Sequence, residues 1–277
     1  MCRHLGYLGP AAPVGEILTR GPHSLYAQAW EPRDMRGGGT INADGFGVAW
    51  WLPDGAVSRY RNPAPIWSDP AVQEVLAQLR STAVLAAVRS ATIGTTVERN
   101  ANAPFTHGRW AFSHNGRIPD WQSVLSDIAA EFGSPPLLEA ESRTDAATLW
   151  VIVRGLLETI GGAAATASTA NGAAGADTRT AVADPAVVLP RVIGAVLARS
   201  PQSRLNLLLG DGETLWATTI YHALSVLVTD EFAVVASEPY DDDPRWQVIP
   251  DRRLLTLRPG HLSIATLETD EFEGALA

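Results

Sequence analysis

The first nine residues of the chain, "MCRHLGYLG" (residues 1–9), contain its only cysteine, directly after the initiating methionine. Cys2 has no partner for a disulfide and almost no chain in front of it, so neither a cross-link nor an ordinary core position accounts for its place. Initiator methionine is usually removed when the next residue is as small as cysteine, and removal would give Cys2 a free α-amine. A free α-amine ordinarily has a pKa of about 7.7–8 and a cysteine thiol one of about 8.5, so an amine on the same residue could act as base while the sulfur attacks a carbonyl. A second-position cysteine that arose by chance is the alternative.

Composition excludes several classes of protein. The 277 residues are 46% hydrophobic, enough for a single domain over residues 1–277 that folds without disulfides or metals. One cysteine excludes a disulfide framework and paired-cysteine zinc sites, and favours a reducing, cytoplasmic compartment. No apolar run approaches the roughly 20 residues that span a membrane, and the start lacks a signal peptide's features.

The net charge and the absence of lysine exclude further kinds of ligand and of catalysis. The formal net charge is −9 and the acidic residues are dispersed, which disfavours binding to nucleic acid. The chain has no lysine, so a Schiff base and a phosphate-cradling lysine are both excluded. Cysteine, serine, threonine and carboxylate remain as nucleophiles. The nine tryptophans could bind a cationic ligand, although most tryptophans of a globular chain lie in its core.

The first 115 or so residues have the pattern of short strands. Runs that suit strands of a well-covered sheet are "DGFGVAWW" (44–51), "TAVLAAVRS" (82–90) and "GRWAFSHNG" (108–116), the last of which alternates and precedes a turn. A helix is predicted over "SDPAVQEVLAQL", with Ser68 as its N-cap and Pro70 in its first turn. A second helix is predicted over "PDWQSVLSDIAAEF", starting at about Pro119 or Asp120.

The second half has helices and then strands. A helix with apolar residues at helical spacing is predicted from Thr144, and another over residues 185–200. Between them, residues 161–184 are of low complexity and contain no aromatic, so we interpret them as a mobile insertion that cannot offset its ordering entropy. Strands follow, two of them flanking residues 230–231 as hairpin partners. The order of elements predicts a layered α+β fold and not alternating βαβ units.

Three further features could complete a nucleophilic site. In "HNG", the Asn115 amide and the next backbone N–H could form an oxyanion hole, with Gly116 allowing close approach, although an Asn-Gly turn is the simpler interpretation. Arg89 could grip a carboxylate through two hydrogen bonds, or could lie on the surface at a strand end. Asp145 could bind an ammonium, or could merely favour the dipole of the helix that it starts.

Together these residues resemble a known family. Cys2, Arg89, Asn115-Gly116 and Asp145 occur in the order and approximate spacing of the class II glutamine amidotransferases, which are N-terminal-nucleophile hydrolases. The matching motifs are "MC", "VRSAT", "HNG" and "TD", with "NADGFGVAWW" (42–51) similar to a strand of the compact members. The resemblance covers nearly the whole chain and implies a four-layer αββα sandwich.

The resemblance also implies a role for each residue. Cys2 would be the nucleophile with its own α-amine as base, and Asn115 and Gly116 would stabilise the tetrahedral oxyanion. Arg89 would bind the α-carboxylate and Asp145 the α-ammonium of a glutamine or γ-glutamyl group. Ser90 and Thr92 would line the same end of the site. No cofactor and no metal are implied.

The chain departs from the usual family pattern at three places. Thr92 is followed by Ile93-Gly94 and not by His-Gly, Ala103 replaces a histidine before Pro104, and Arg3-His4 replaces a glycine after the cysteine. We predict structural roles for Arg3 and His4. These departures leave the hydrolytic residues in place but weaken the case for ordinary glutamine specificity.

The expected partner is a small γ-glutamyl substrate, with no nucleic acid and no membrane. The chain has no room for a synthase domain, so we expect a free-standing amidohydrolase that cuts a γ-glutamyl amide with water. A glutathione-type γ-glutamyl peptidase and a glutaminase subunit of a separate amidotransferase are the alternatives with the same chemistry. A catalytically inactive binding protein and a metal site at Cys2, His4, His107 and His114 are further alternatives.

Overall fold

The computed structural model describes residues 2–35, 41–92, 94–169 and 183–267, without the side chains of residues 159–169. The strands are β1 (Arg3–Pro13), β2 (Phe46–Trp51), β3 (Val57–Asn62), β4 (Arg80–Val88), β5 (Phe105–His107), β6 (Trp110–Arg117), β7 (Arg204–Gly210), β8 (Leu215–Thr219), β9 (Leu224–Val228), β10 (Ala233–Ala236), β11 (Gln247–Ile249), β12 (Arg253–Arg258) and β13 (His261–Thr266). The helices are α1 (Val14–Thr19), α2 (Leu25–Gln28), α3 (Ala71–Glu74), α4 (Trp121–Phe132), α5 (Asp145–Thr169) and α6 (Pro185–Arg199).

The strands form two antiparallel sheets that pack face to face. Over the described residues, one sheet has the order β11-β9-β10-β1-β4-β2-β3 and the other the order β13-β12-β8-β7-β6-β5. Residues of both sheets, such as Leu85 and Leu208, share one buried cluster between them. A Cβ on Gly6 would lie 2.9 Å from the Leu215 side chain of the opposite sheet, so a glycine lets the sheets approach here.

Helices cover the two outer faces. Apolar residues of α1, α2 and α3, including Ile17, pack against the sheet that contains β1. Residues of α4, α5 and α6, including Leu125, pack against the sheet that contains β6. The predicted α+β, four-layer αββα sandwich is therefore confirmed. Within the described residues, no helix is both long and apolar enough to cross a membrane.

Strand pairing brings the start of the chain to two other strand ends. β1 lies between β10 and β4, and Arg3 pairs with Val88 at the end of β4. Cys2, one residue further out, therefore lies beside Arg89 and Ser90. In the other sheet β6 pairs with β7, with Asn115 opposite Asn206.

Several local predictions hold and others are wrong. The helices α4 and α6 and the β9–β10 hairpin are confirmed. The strand predicted over 108–116 is confirmed as β6, and the alternative of an Asn-Gly turn at "HNG" is wrong, because β6 continues through Asn115 and Gly116 to Arg117 in register with β7. The helix predicted from residue 68 is a single short turn, α3, and the carboxylate of Asp69, not Ser68, accepts a hydrogen bond from its first N–H, at 2.9 Å.

The boundaries of the predicted insertion at 161–184 are also corrected. Its first nine residues continue α5 to Thr169, and residues 170–182 lie outside the described residues. At its far end Ala183 is buried in the core, and the Asp184 side chain caps α6 by accepting from Ala186 N. The helical spacing before residue 160 does not stop at the composition change, because alanine is a strong helix former.

Candidate active site

A cavity of about 290 Å³ brings together six of the seven predicted site residues. They come from separate parts of the fold: the start of the chain, the end of β4, strand β6 and the start of α5. The six are Cys2, Arg89, Ser90, Thr92, Gly116 and Asp145. Asn115, the seventh, is buried and does not line the cavity.

The Cys2 thiol is half-buried and is held by the backbone of Ser90. The Ser90 N–H lies 3.4 Å from Cys2 Sγ, and the thiol itself is 3.5 Å from the Ser90 carbonyl oxygen. These two contacts fix the position of the sulfur at the edge of the cavity. The contact exists because β1 and β4 are neighbours, so residues 88 apart in sequence meet at the cavity.

Arg3 fixes the peptide that follows Cys2. Its guanidinium is fully buried, and Nε donates to Glu238 Oε1 at 2.8 Å. Nη1 donates to the carbonyl of Cys2 at 3.1 Å, and Nη2 donates to the carbonyl of Asp34. The other Glu238 oxygen accepts from the N–H of Arg33 at 2.8 Å. One buried ion pair thus ties Cys2 to the end of β10 and to the segment at residues 33–34.

The predicted structural roles of Arg3 and His4 fit these contacts. His4 is buried, its N–H donates to Ser237 Oγ at 3.0 Å, and its Nδ1 lies 3.4 Å from Ser113 Oγ. Glu238 was missed by the sequence reasoning. A signal existed, because Glu238 follows an apolar strand, and an arginine inside a core requires a carboxylate partner.

Arg89 and Asp145 are oriented by neighbours that leave both charges available. Arg89 donates to the Thr96 carbonyl at 3.0 Å and to Thr95 Oγ1 at 3.2 Å. Among the described residues, no ion pair involves either Arg89 or Asp145. The two oxygens of Asp145 accept from Ile118 N at 3.0 Å and Ala146 N at 2.8 Å. A carboxylate has about four lone-pair sites, so these two bonds leave room for an ammonium ligand.

Of the two residues of the predicted oxyanion hole, Gly116 lines the cavity and Asn115 is buried and does not line it. The Asn115 amide nitrogen donates to Ser237 Oγ at 3.3 Å, which leaves the second hydrogen of the amide for another acceptor. Gly116 lines the cavity, where a glycine would allow the substrate to approach. The packing of β6 against β7 also requires glycine at this position. A Cβ there would lie 1.8 Å from the Arg204 carbonyl oxygen on β7. The neighbouring strand therefore requires glycine whether or not a substrate approaches.

An ion-paired cluster that the sequence did not reveal supports one wall of the cavity. Arg59 binds Glu141 through two hydrogen bonds of 2.7 Å, and Arg61 binds it through one of 2.7 Å. Arg61 also donates at 3.2 Å to the carbonyl of Asn102, which lines the cavity. Burial alone would raise the pKa of Glu141, but Arg59 and Arg61 outweigh burial and lower it.

The alternative of a metal site gains no support from the histidines. His114 Nε2 lies 2.8 Å from the Arg204 carbonyl, and His107 Nε2 lies 2.6 Å from Glu158 on α5. His4 contacts Ser113 as described above. Among the residues that the structure describes, no three cysteine, histidine or acidic side chains are grouped as metal ligands.

Sequence comparison identifies full-length relatives. A profile of the family described as "Glutamine amidotransferases class-II" matches residues 25–135. A γ-glutamyl-hercynylcysteine sulfoxide hydrolase of Mycolicibacterium smegmatis is 36% identical over 96% of this chain and 100% of its own length. The protein of the same name from Mycobacterium tuberculosis H37Rv is 37% identical over 97% of both chains.

Solved structures share the fold. A glutamine aminotransferase class-II domain protein from Silicibacter pomeroyi superposes with a TM-score of 0.61 and 22% identity, over 96% of this chain and 99% of that one. The glutamine phosphoribosylpyrophosphate amidotransferase of Bacillus subtilis gives a TM-score of 0.59 and 15% identity, over 96% of this chain but 49% of the longer protein. At these identities the similarity concerns the fold alone.

Proposed function

Because the chain belongs to the class II glutamine amidotransferase family, we propose that it hydrolyses γ-glutamyl-hercynylcysteine sulfoxide, a step of ergothioneine biosynthesis. The products are glutamate and hercynylcysteine sulfoxide. Two mycobacterial proteins named for this activity match almost the whole chain at 36–37% identity. The observation that carries the proposal is the single cavity that contains the Cys2 thiol together with Arg89 and Asp145. We treat residues 1–277 as one catalytic domain that acts in the cytoplasm.

The glutamyl end of the substrate carries an α-carboxylate and an α-ammonium, which are complementary to the charges of Arg89 and Asp145 in the cavity. Arg89 binds the α-carboxylate and Asp145 binds the α-ammonium, so that the two side chains together recognise the zwitterionic amino-acid group. Ser90 and Thr92 line the same end. This arrangement directs the γ-carbonyl carbon toward Cys2 Sγ, which the Ser90 backbone already holds at 3.4 Å.

The chemistry follows from removal of Met1. The free α-amine of Cys2 takes the thiol proton, directly or through a water, and the sulfur attacks the γ-carbonyl carbon. Donors at Asn115 and Gly116 stabilise the oxyanion of the tetrahedral intermediate. Its collapse breaks the C–N bond, the leaving amine takes the proton from the Cys2 ammonium, and a thioester remains. Water, deprotonated by the same amine, then cleaves the thioester to glutamate and restores the thiol.

The decisive experiment blocks the amine and leaves the thiol intact. One protein carries an uncleavable N-terminal extension before Cys2, and the matched control carries the same extension after Ala277. Intact mass should show loss of Met1 in the control and one stoichiometric adduct with a γ-glutamyl electrophile. The N-terminal extension and Cys2→Ala should each abolish hydrolysis without lowering the Tm. Full turnover by either variant contradicts the mechanism.

Substrate identity is tested separately on the native chain. Glutamine, glutathione and γ-glutamyl-hercynylcysteine sulfoxide are supplied at equal concentration, and glutamate release is measured. The sulfoxide should have the highest kcat/KM. A higher value for glutathione or glutamine would replace the proposal with the peptidase or the glutaminase subunit, and binding without release would indicate an inactive binder.

A further inference from the structure

Arg117, Asp120 and Trp121 line the cavity without a role at its glutamyl end. Arg117 is the last residue of β6, Asp120 precedes α4, and Trp121 is its first residue; all three line the cavity with Cys2. We propose that they form the subsite for the leaving group, with Arg117 binding a carboxylate and Asp120 and Trp121 together binding the trimethylammonium group. This inference rests on the proposed function.

The cavity has one cation and one anion for each of the two zwitterionic ends of the substrate, the glutamyl end and the hercynyl end. Arg89 and Asp145 account for the glutamyl end. The hercynyl end of the leaving group carries a trimethylammonium beside a carboxylate, and the cavity provides a second cation and a second anion, Arg117 and Asp120. In the described part of the chain neither side chain forms an ion pair, with the other or with a third residue. Glutamine, which has a neutral leaving group, would need neither charge.

Asp120 has features that capping does not explain. Aspartate at the position before a helix normally accepts a hydrogen bond from the first turn. Asp120 occupies that position for α4 with a left-handed backbone, φ 51°, and its side chain makes no capping bond. The carboxylate is exposed at the cavity and remains available to a ligand.

Trp121 is suited to bind a quaternary ammonium. It is half-buried and packs against the core cluster under α4, so its ring is held from behind while it lines the cavity. Among the described residues that line the cavity, it is the only tryptophan. A methylated ammonium cannot donate a hydrogen bond, so an aromatic face and a nearby carboxylate are the means of recognising it.

Exposure places this subsite at the mouth of the cavity. Arg117 and Asp120 are exposed, whereas Cys2 and Asp145 are half-buried. Once the γ-glutamyl group occupies the inner charges, the rest of the substrate has to extend toward the exposed residues. Arg117 directly follows Gly116, the residue of the predicted oxyanion hole. A leaving group bound to Arg117 would therefore lie between the oxyanion hole and solvent.

The test uses paired substrates and variants. The native enzyme is compared with Trp121→Leu, Trp121→Phe, Asp120→Asn and Arg117→Gln on γ-glutamyl-hercynylcysteine sulfoxide, on its analogue with tert-butyl in place of trimethylammonium, and on γ-glutamyl-p-nitroanilide. For the native enzyme the tert-butyl analogue should have a KM roughly 2- to 30-fold higher, the range of a cation–π contact. Trp121→Leu and Asp120→Asn should each lower that discrimination, since each removes one of the two contacts to the cation, and Trp121→Phe should lower it less than Trp121→Leu.

Arg117→Gln should lower kcat/KM for the sulfoxide relative to the p-nitroanilide, while preserving the preference for trimethylammonium over tert-butyl. Trp67→Leu, which changes an exposed tryptophan outside the cavity, is the matched control and should leave every ratio as in the native enzyme. The subsite is refuted if the native enzyme does not discriminate between the two analogues, or if Trp121→Leu and Asp120→Asn keep the native ratio. If the native enzyme cleaves the p-nitroanilide but not the sulfoxide, the proposed function itself has failed.

Discussion

The buried ion pair between Arg3 and Glu238 allows a prediction about how the nucleophile is held. The two side chains are 0% and 4% exposed and 2.8 Å apart, and the Arg3 guanidinium also holds the carbonyl of Cys2. Glu238→Gln keeps the shape of the side chain but removes the negative charge that neutralises Arg3. Breaking one side of a buried ion pair costs about 3–5 kcal/mol. At about 2–4 °C per kcal/mol for a chain of this size, the Tm should fall by roughly 6–20 °C.

The same substitution should slow catalysis more than it weakens binding. Arg89 and Asp145 do not contact Glu238, so KM should change little, whereas looser positioning of Cys2 should lower kcat by roughly 10- to 100-fold. Thermal unfolding by circular dichroism and steady-state kinetics well below the Tm measure the two effects. Glu131→Gln is the control, because its ion pair with Arg199 lies at the surface, with Glu131 37% exposed, and should contribute no more than about 1 kcal/mol.

A double variant separates stability from positioning. In Arg3→Met/Glu238→Met, apolar side chains replace the ion pair, which is often neutral or stabilising in a core. We expect the Tm to recover while kcat stays low, because no guanidinium holds the Cys2 carbonyl. A Glu238→Gln protein with native Tm would refute the energetic argument, and a double variant with native kcat would refute the positioning argument.

Three further predictions concern the walls of the cavity. Arg59 and Arg61 lower the pKa of Glu141, so its ionised form stabilises the fold above its ordinary pKa of 4.5, and this contribution is lost as pH falls through the lowered value. Urea midpoints of the native chain and Glu141→Gln should differ at pH 7 and approach each other as the pH falls below 4.5; a difference that stays constant with pH would contradict this. Gly116→Ala should lower the free energy of unfolding, measured in urea, by at least about 1–3 kcal/mol, because the new Cβ would clash with the Arg204 carbonyl oxygen. An unchanged free energy of unfolding would show that β7 can move away at little cost. Arg89→Lys keeps the charge but not the two-pronged geometry, so KM for γ-glutamyl substrates should rise roughly tenfold, and an unchanged KM would remove Arg89 from carboxylate binding.

The sequence contained enough information to predict the architecture and most of the cavity. Apolar runs predicted the central strands, and helical spacing predicted α4, α5 and α6, because these patterns report which face is buried. Cys2, Arg89 and Asp145 were found through motif order, and the fold brings all three to one cavity. The alternative of an Asn-Gly turn at "HNG" was wrong, since the turn preference of that pair is weaker than the pairing of β6 with β7, whose residues lie some ninety positions away.

The missed residues depend on contacts between distant parts of the chain. Arg3 and Glu238 are 235 positions apart, and Arg59 and Glu141 are 82 apart. No periodicity links such partners, because each pair is set by strand order and loop geometry. The leaving-group residues Arg117, Asp120 and Trp121 are close in sequence, yet nothing in "RIPDW" shows that this stretch faces the cavity, and not solvent, until β6 and α4 are placed.

The position of Cys2 follows from the antiparallel order of one sheet. β1 starts at residue 3 and lies between β10 and β4. Because both neighbours run antiparallel to β1, each of them ends beside the start of β1. The end of β4 supplies Arg89 and Ser90 on one side, and the end of β10 leads to Ser237 and Glu238 on the other. A cysteine at residues 5–8 of β1 would lie inside the sheet, with its backbone paired to both β10 and β4. Only at the start can it have a thiol beside Ser90, a carbonyl held by Arg3, and an α-amine that removal of one residue would expose to substrate.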